Sequence, residues 1–590
     1  MRLVALLVSL FVCAAPIAAQ KGQTTSPLCT RDNAVDTAKQ QILFTRTFDN
    51  AVPRIAVLIR AADLLWPHDQ EKGLAAFMEA FDLAVQNYKE VGDEVRRVSE
   101  SQFAARYALP DQRFKVVTAL ARRDPERAQK LSEQMLQNEA KEAAERPKRP
   151  QLGQTAANKL LQAALGLVET DPAAAEIFAR SSLRYPPILQ LPVFLYALAK
   201  TNQEGADRLY SSALSTYRAA PMDQFLYLSA YPFGNTREAG EMQNYAIYRV
   251  PPGFTPNPAL QRQFMQVLLA RVETALVDPA IEAVPDYRYT AKAQMWFALT
   301  RLEKQVETNL PGLSDSVARA KERLFALLNP AAQKRVNGVI DRDNTPKRSF
   351  DEQVEAAEKL TDVAQREQGL AAAVTGASHD QTVERVLSVI DKISDSNVRG
   401  PLTNWFYYNR AQALLADKNF VEARRLANKV EELDMRAYLF TKIAEGSLKE
   451  AEDQTESRQM LNEIADAITK APKTINSARA LLALAHLYTR LDVNRGVEEL
   501  GNAVRTINAL ENPDFTLQFT IIKIEGKTFG FYTSYATPGF NPENAFREMG
   551  KVDFDGSLAQ AAQLSDKSLR GLTTLSVIEP CFATKTTKTK

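Results

Sequence analysis

The sequence predicts an all-α fold, a helical-hairpin repeat array of the α-solenoid type with one small β-hairpin near the C-terminus. Three observations predict it. A helix-start phrase recurs, apolar residues fall at three- and four-residue spacing over most of the chain, and one stretch after Asn512 gathers β-branched and aromatic residues around a Gly turn. The phrase reads Asp124-Pro-Glu-Arg-Ala128-x-x-Leu131, then Asp171 with Ala175 and Phe178, Asn202 with Ala206 and Leu209, and Asn419 with Ala423 and Leu426. Its first residue accepts an orphan backbone N–H, worth about 1 kcal/mol, and Pro at the first helical position is preorganised for the helix. Asn419 and Glu422 have the spacing of a capping box. The Ala admits a neighbouring helix to roughly 8–10 Å, and the bulky residue fills the groove beside it.

A chain of 590 residues exceeds what one hydrophobic core organises, and the repeats favour an array over separate domains. Apolar residues make up 45% and charged residues 24%, an ordinary soluble balance, and a net charge of +2 gives no field for nucleic acid. Acidic and basic residues are interspersed, as in Glu431-Glu-Leu-Asp-Met-Arg436, so they read as solvated helix faces.

Arg2, the apolar run Leu3 to Cys13, Pro16, and the small residues Ala18 and Ala19 have the form of a secretory signal peptide over 1–19. The run is short for a bilayer of about 30 Å, which disfavours an uncleaved anchor, and Val12 disfavours a lipobox at Cys13. Later, the most apolar stretch, Ile188 to Ala199, contains Gln190 and Pro192 and is too short to span. The mature chain is expected to be periplasmic or extracellular with no transmembrane segment. Cleavage leaves Cys29 and Cys581. Export permits a disulfide between them, while the separation of the ends of an extended array opposes it, since bridged Cα atoms lie within about 7 Å. Free thiols or an intermolecular link are the alternatives.

Along the mature chain, 20–32 reads as a flexible lead and 33–222 as N-terminal helical repeats, interrupted at Trp66-Pro67, Leu109-Pro110 and Arg184-Tyr-Pro-Pro187. The segment 223–258 is an irregular insertion. Pro and Gly break it, and Phe225, Tyr227, Tyr231, Phe233, Tyr245 and Tyr248 crowd it, which makes these six the candidate partner-binding residues. The competing reading has aromatics pinning an irregular segment to the helices, and the same choice applies to Phe515 to Phe540. Middle helices occupy 259–345. The clearest repeats lie in 346–512, a β-hairpin over Gln518 to Thr533 within 513–542, C-terminal helices in 543–583, and a disordered tail in 584–590. Trp405-Phe-Tyr-Tyr408 covers a full helical turn, so part of it is core and part faces outward or toward a groove.

Within 346–512, Tyr407, Ala411, Leu414, Ala423, Ala427 and Val430 fall at fixed spacing around the turn Asp417-Lys-Asn419. This resembles a degenerate tetratricopeptide repeat. Tyr407 stands in place of the family's Trp, Ala411 of its Gly, Leu414 and Ala427 of its aromatics, and Met435 of its closing Pro. Leu481, Leu484, Ala485 and Tyr488 offer a second first helix, with Gly496 and Leu500 out of register by one. As a whole, with its terminal Asp566-Lys-Ser-Leu-Arg570 helix, the chain resembles exported bacterial helical-repeat proteins. The resemblance implies a superhelix that holds protein or peptide partners, and carries over no catalytic residue.

Chemistry-bearing motifs are few. His68, His379 and His486 are scattered without metal spacing. Asp341, Asp343, Thr345, Ser349 and Glu352 match ligand positions of a calcium loop, but Pro346 stands where the loop needs Gly, so an interhelix loop is expected. Glu100-Ser-Gln-Phe103 echoes the lytic transglycosylases without their Gly-Leu-Met-Gln. No phosphate loop or nucleophile elbow occurs. No catalytic, cofactor-binding or metal residue is assigned, and the sequence points to an exported, non-enzymatic scaffold for a protein or peptide partner. An α-helical enzyme acting on cell-envelope or extracellular glycans, with carboxylates or tyrosines from distant helices, is the alternative.

Overall fold

The computed structural model describes residues 26–91, 111–145, 156–239, 247–277, 290–344, 348–377, 380–450, 454–515, 519–526, 530–536 and 540–583. The expected signal peptide over 1–19, Glu100, Tyr245, His379 and the tail after Ala583 lie outside the described residues. Helices dominate, and consecutive helices pack as hairpins. The described residues divide into a larger unit, 38–393, and a terminal unit in which 26–37 join those from Ser394 onward.

In the larger unit, Ala51–Leu65 pairs with Gln70–Val91, Gln112–Ala121 with Pro125–Glu145, and Ala156–Leu165 with Pro172–Ser182. The first helices of these pairs also stack on one another, and Ala156–Leu165 continues onto Gln190–Tyr217. A helix that packs on its next neighbour and on the next but one buries apolar surface on two sides, which is how a repeat array builds a continuous core. Beyond the irregular segment come Pro258–Val277, Ala291–Asn309 and Ser314–Ala326.

All four copies of the helix-start phrase are capped. Asp124 accepts from Arg127 N at 3.0 Å, Asp171 from Ala174 N at 2.9 Å, Asn202 from Gly205 N at 2.9 Å and Asn419 from Glu422 N at 3.2 Å. Ala128, Ala175, Ala206 and Ala423 are fully buried. Asn202 starts a helix as expected: within Gln190–Tyr217 its non-helical backbone (φ −150°, ψ 77°) marks a kink between two helices, and its side chain caps the second. Asn419 forms only half of the expected capping box, because the Glu422 carboxylate turns to Arg425 instead. The phrase is also commoner than the sequence reading found. Asp69, Asp492, Asn541 and Asp553 cap in the same way, and Gly73, Gly496, Ala545 and Ser557 follow four residues later. At Gly496 a Cβ would stand 3.3 Å from Ala485 O and 3.4 Å from Tyr488 Cβ, so the preceding helix Ile475–Tyr488 lies against the backbone here.

In the terminal unit, Ser396–Ala416, Leu433–Glu450, Ile475–Tyr488 and Pro542–Val552 form one row, each packed on the next. Phe420–Ala427, Thr455–Lys470, Val493–Asn508 and Phe554–Ala562 are their hairpin partners. Asp417-Lys-Asn419 is the turn expected. Lys418 takes a left-handed φ of 59°, and Asn419 N reaches back to Leu414 O at 2.8 Å. Phe406 and Tyr408 are core, while Trp405 and Tyr407 are half-exposed, as one helical turn of aromatics requires.

The β-hairpin comprises β1 (Phe519–Glu525) and β2 (Gly530–Ala536), antiparallel with Ile522 opposite Thr533, so the second strand runs past the expected Thr533. Gly526 ends the first strand against the helix Ser396–Ala416, where a Cβ would meet Val398 Cγ2 at 2.6 Å. No described helix is long and apolar enough to cross a membrane.

Cys29 and Cys581 are bonded, their Cα atoms 5.2 Å apart. The expectation that an extended array holds them apart fails because residues 26–37 belong to the same unit as the C-terminal helices. Ser26 adds a hydrogen bond from its hydroxyl to Asp555 Oδ1 at 3.0 Å, whereas Leu28 is exposed, so little apolar burial holds this strand of chain.

Two outcomes follow from the packing. Ala423→Leu overpacks a closed helix contact and lowers stability by about 1–3 kcal/mol, seen as a lower midpoint in chemical denaturation. Replacing Cys29 and Cys581 by Ser lowers it by about 2–5 kcal/mol, and a non-reducing peptide map of the native protein yields one fragment containing both cysteines.

Candidate functional site

Among the described residues, most aromatics of the irregular segment are buried. Met222–Phe225 is a single helical turn, followed by 3₁₀ turns at Leu226–Ser229 and Tyr231–Phe233. Gly234 then takes a left-handed φ of 68°, with Pro256 and Phe254 pressed against it. Phe225, Tyr231, Phe233 and Tyr248 are buried, and Tyr227 is half-buried. As exposed partner-binding candidates the buried four are corrected. Their rings pack on the helices: Tyr231 on Tyr196, Tyr210 and Phe254 at 5.3–5.4 Å, and Phe225 flat on Phe264 at 5.3 Å.

Their hydroxyls are satisfied within the core. Tyr231 donates to Asp207 at 2.8 Å, Tyr248 to Glu238, and Tyr196 shares the Ala230 and Asn235 carbonyls at 2.9 Å each. Burial first, then the neighbouring Asp207 carboxylate, pushes the Tyr231 phenol far above its ordinary range. Pro and Gly made this stretch look like a recognition loop, yet a loop with enough rings can bury itself.

A different constellation converges between the first hairpins of the same unit. Asp111 caps Gln112–Ala121 through Arg113 N at 3.0 Å, and it also accepts from Arg113 Nε at 3.0 Å and Nη2 at 2.6 Å. Lys159, on Ala156–Leu165, approaches the other side of Asp111 at 3.1 Å and Glu139 at 3.4 Å. Arg113 also donates to Glu139, on Pro125–Glu145. Beneath it lies Tyr88, its ring centroid 3.2 Å from the guanidinium carbon. The side chains of Asp111 and Lys159 are each 2% exposed, that of Arg113 5% and that of Glu139 23%.

Members of this two-cation, two-carboxylate knot line two cavities. One, of about 300 Å³, is lined by Asp111 and Lys159 with Phe114, Lys115, Thr118 and Arg122 among others. The other, of about 410 Å³, is lined by Tyr88, Arg113 and Glu139 with Asp82, Lys89 and Lys141 among others. Burial by itself pushes the Asp111 carboxyl up, but the hydrogen bonds and charge of Arg113, with Lys159 behind them, hold it below its ordinary value. Arg113 is affected the other way: burial opposes its charge, and Asp111 and Glu139 overcome that opposition. A buried charge network is tolerated only when every charge is matched.

Sequence reading passed over these residues because their charges resembled solvated faces. One signal was legible: Lys159 is the lone charged residue in Ala-Ala-Asn-Lys-Leu-Leu-Gln-Ala-Ala-Leu, a helix otherwise built for a core. The remaining candidates stay apart. His68 is exposed in a turn, next to Asp69, which caps and pairs with Lys39 at 2.8 Å. His486 is half-buried, and burial pushes its pKa down. The calcium-loop set is divided: Asp341 lies in the helix Pro330–Asn344, while Ser349 and Glu352 form the capping box of Phe350–Glu358. Among the described residues, no group of three or more His, Cys, Asp or Glu side chains is placed to hold a metal.

Fold and site define an all-α helical-repeat protein whose most concentrated chemistry is a buried ion network. No protein-family model matches the chain, and no curated protein matches it in sequence.

The network makes acid stability depend on Asp111. Its folded pKa lies below the unfolded value of about 3.9, so the stabilisation is present above that value and is lost as pH falls through the folded pKa. Asp111→Asn leaves Arg113 and Lys159 short of a matched charge, lowers stability by about 3–5 kcal/mol at neutral pH, and flattens the acid limb of a denaturation-against-pH curve.

Proposed function

We propose that the protein is an exported helical-repeat scaffold, periplasmic or extracellular, that holds a protein or peptide partner without catalysing a reaction. The observation that carries this reading is the row of stacked helices Ser396–Ala416, Leu433–Glu450, Ile475–Tyr488 and Pro542–Val552. A row of this kind gives a rigid face, and Trp405 and Tyr407 lie half-exposed on its first helix. Large rings with few rotors supply contact area at little entropic cost. Its resemblance to the tetratricopeptide repeat supports the partner class, since Ala411, Ala423, Ala427 and Val430 are fully buried at the repeat's small and apolar positions. Export is supported by the signal-peptide-like pattern of Arg2, Leu3 to Cys13 and Ala18-Ala19 in the sequence and by the Cys29–Cys581 bond, because disulfides persist in oxidising compartments and cytosolic thiols stay reduced.

Isolation of the protein from its native compartment tests both parts. The expected amino terminus is near Gln20, and the expected preparation carries a protein or peptide in fixed ratio. That partner is lost from Trp405→Ala or Tyr407→Ala while the melting temperature stays within a few degrees. A preparation with an intact leader, or one free of any bound polypeptide at native concentration, contradicts the reading.

A further inference from the structure

Between Val493–Asn508 and Pro542–Val552 the chain makes a detour back along the row of the terminal unit, touching three of its four helices. Phe515 lies on Ile475–Tyr488, its ring 5.9 Å from the Arg479 guanidinium carbon. β1 then reaches Ser396–Ala416, the first helix of the row, where Ile524 is fully buried and a Cβ on Gly526 would meet Asp395 Oδ2 at 2.8 Å. On the return, Phe540 packs edge-on against Tyr438 at 5.7 Å, and Lys442 Nζ stands 5.0 Å from the centre of the same ring, both on Leu433–Glu450.

Each inner helix of the row has row neighbours on two sides and hairpin helices on a third. The detour therefore lies along the remaining side. Burial agrees: from Ser477 to Tyr488 every residue but His486 is buried, whereas a helix with an open side exposes a residue at every third or fourth position. Arg479, beneath Phe515, is 5% exposed.

The cover is held less firmly than the helices it covers. Among the described residues its two strands pair only with each other, and a two-stranded hairpin is marginally stable on its own. Its order thus comes from the row, through two rings laid on cations and one close contact at Gly526. Covalently it is tied where it leaves Val493–Asn508 and enters Pro542–Val552, so lifting it leaves the helix contacts closed.

We propose that this covered side of the row, with Tyr438, Lys442 and Arg479 on it, is the docking surface for an extended peptide bearing aromatic residues, and that 511–541 is its resident occupant, displaced when the partner binds. That a partner uses the surface rests on the scaffold reading, while the cover and its ring-on-cation contacts rest on the geometry alone. The segment shows what the surface selects, a ring over each cation with extended backbone between them.

The segment also supplies the probe. A labelled synthetic peptide of residues 511–541 is titrated, by fluorescence anisotropy, into native protein and into Gly526→Val, whose added side chain has no room beside Val398 and wedges the resident segment off. The variant is expected to bind the peptide about tenfold more tightly than the native protein, because its surface is free. The same peptide with Ala in place of Phe515 and Phe540 binds the variant about fivefold more weakly. Hydrogen exchange checks the fold: amides of 519–526 and 530–536 exchange faster in the variant, while Ser396–Ala416, Leu433–Glu450 and Ile475–Tyr488 keep their protection. Where Gly526→Val disturbs those helices, Phe540→Ala replaces it, since that ring is half-buried and its loss removes the contacts with Tyr438 and Lys442. Hairpin amides that exchange only together with the helices, equal binding by native protein and the freed variant, or equal binding of the two peptides overturns the proposal. A native partner that the peptide fails to compete away also overturns it and leaves the scaffold reading in place. Where native preparations carry no polypeptide yet the peptide enters the freed surface, the cover and its selectivity stand and the scaffold reading alone has failed.

Discussion

Many of the described hairpins depend on how closely one helix can approach the first turn of the next. A capped start fixes the direction of the helix, and the residue four positions on decides the distance. Ala at 128, 175, 206, 423 and 545, Gly at 73 and 496, and Ser557 all keep that position small. The last cases are the most telling, since at Gly73 a Cβ would lie 3.1–3.2 Å from the backbone of Ala62 and Trp66. Contacts this short leave no slack, and interiors packed near crystal density pass any misfit to their neighbours. In an array where each helix touches two others, the effect of one enlarged residue extends along the row.

Tight helix contacts also explain where polar groups can sit. The Asp111, Arg113, Lys159 and Glu139 knot lies where three helices would otherwise need a fully apolar seam, and its charges survive burial only because they match in number and geometry. The irregular segment solves a related problem differently. Tyr196, Tyr210, Tyr231 and Tyr248 bury their rings and deliver each hydroxyl to a carbonyl or carboxylate, so a stretch poor in regular backbone bonds still has its polar atoms satisfied. Both devices rigidify the larger unit.

At the chain ends the problem is one of adhesion. Residues 26–30 contribute little apolar surface to the terminal unit, and a covalent bond from Cys29 to a buried Cys581 holds them where burial does not. Short segments that cannot build a core commonly rely on such a bond.

Much of the fold was legible because helix signals are local. Caps at Asp124, Asp171, Asn202 and Asn419, the break at Asp417-Lys-Asn419 and the strand pair around Gly526 each arise from a few adjacent residues, and the structure places them where spacing and capping chemistry require. What depends on distance along the chain was not legible. Whether Tyr231 and Phe233 face solvent is decided by Tyr196, Tyr210 and Phe264 on other helices, and Cys29 meets Cys581 across 552 residues. The ion knot is the clearest case: Asp111 and Arg113 have the same sequence signature as any solvated pair until Lys159 and Glu139 arrive from neighbouring helices. Composition and period thus determined the helices, the small residues and the hairpin, since these follow from backbone hydrogen bonding and side-chain volume. Only the tertiary structure decided which charges and rings lost water, because desolvation is a property of what surrounds a side chain and not of the side chain itself.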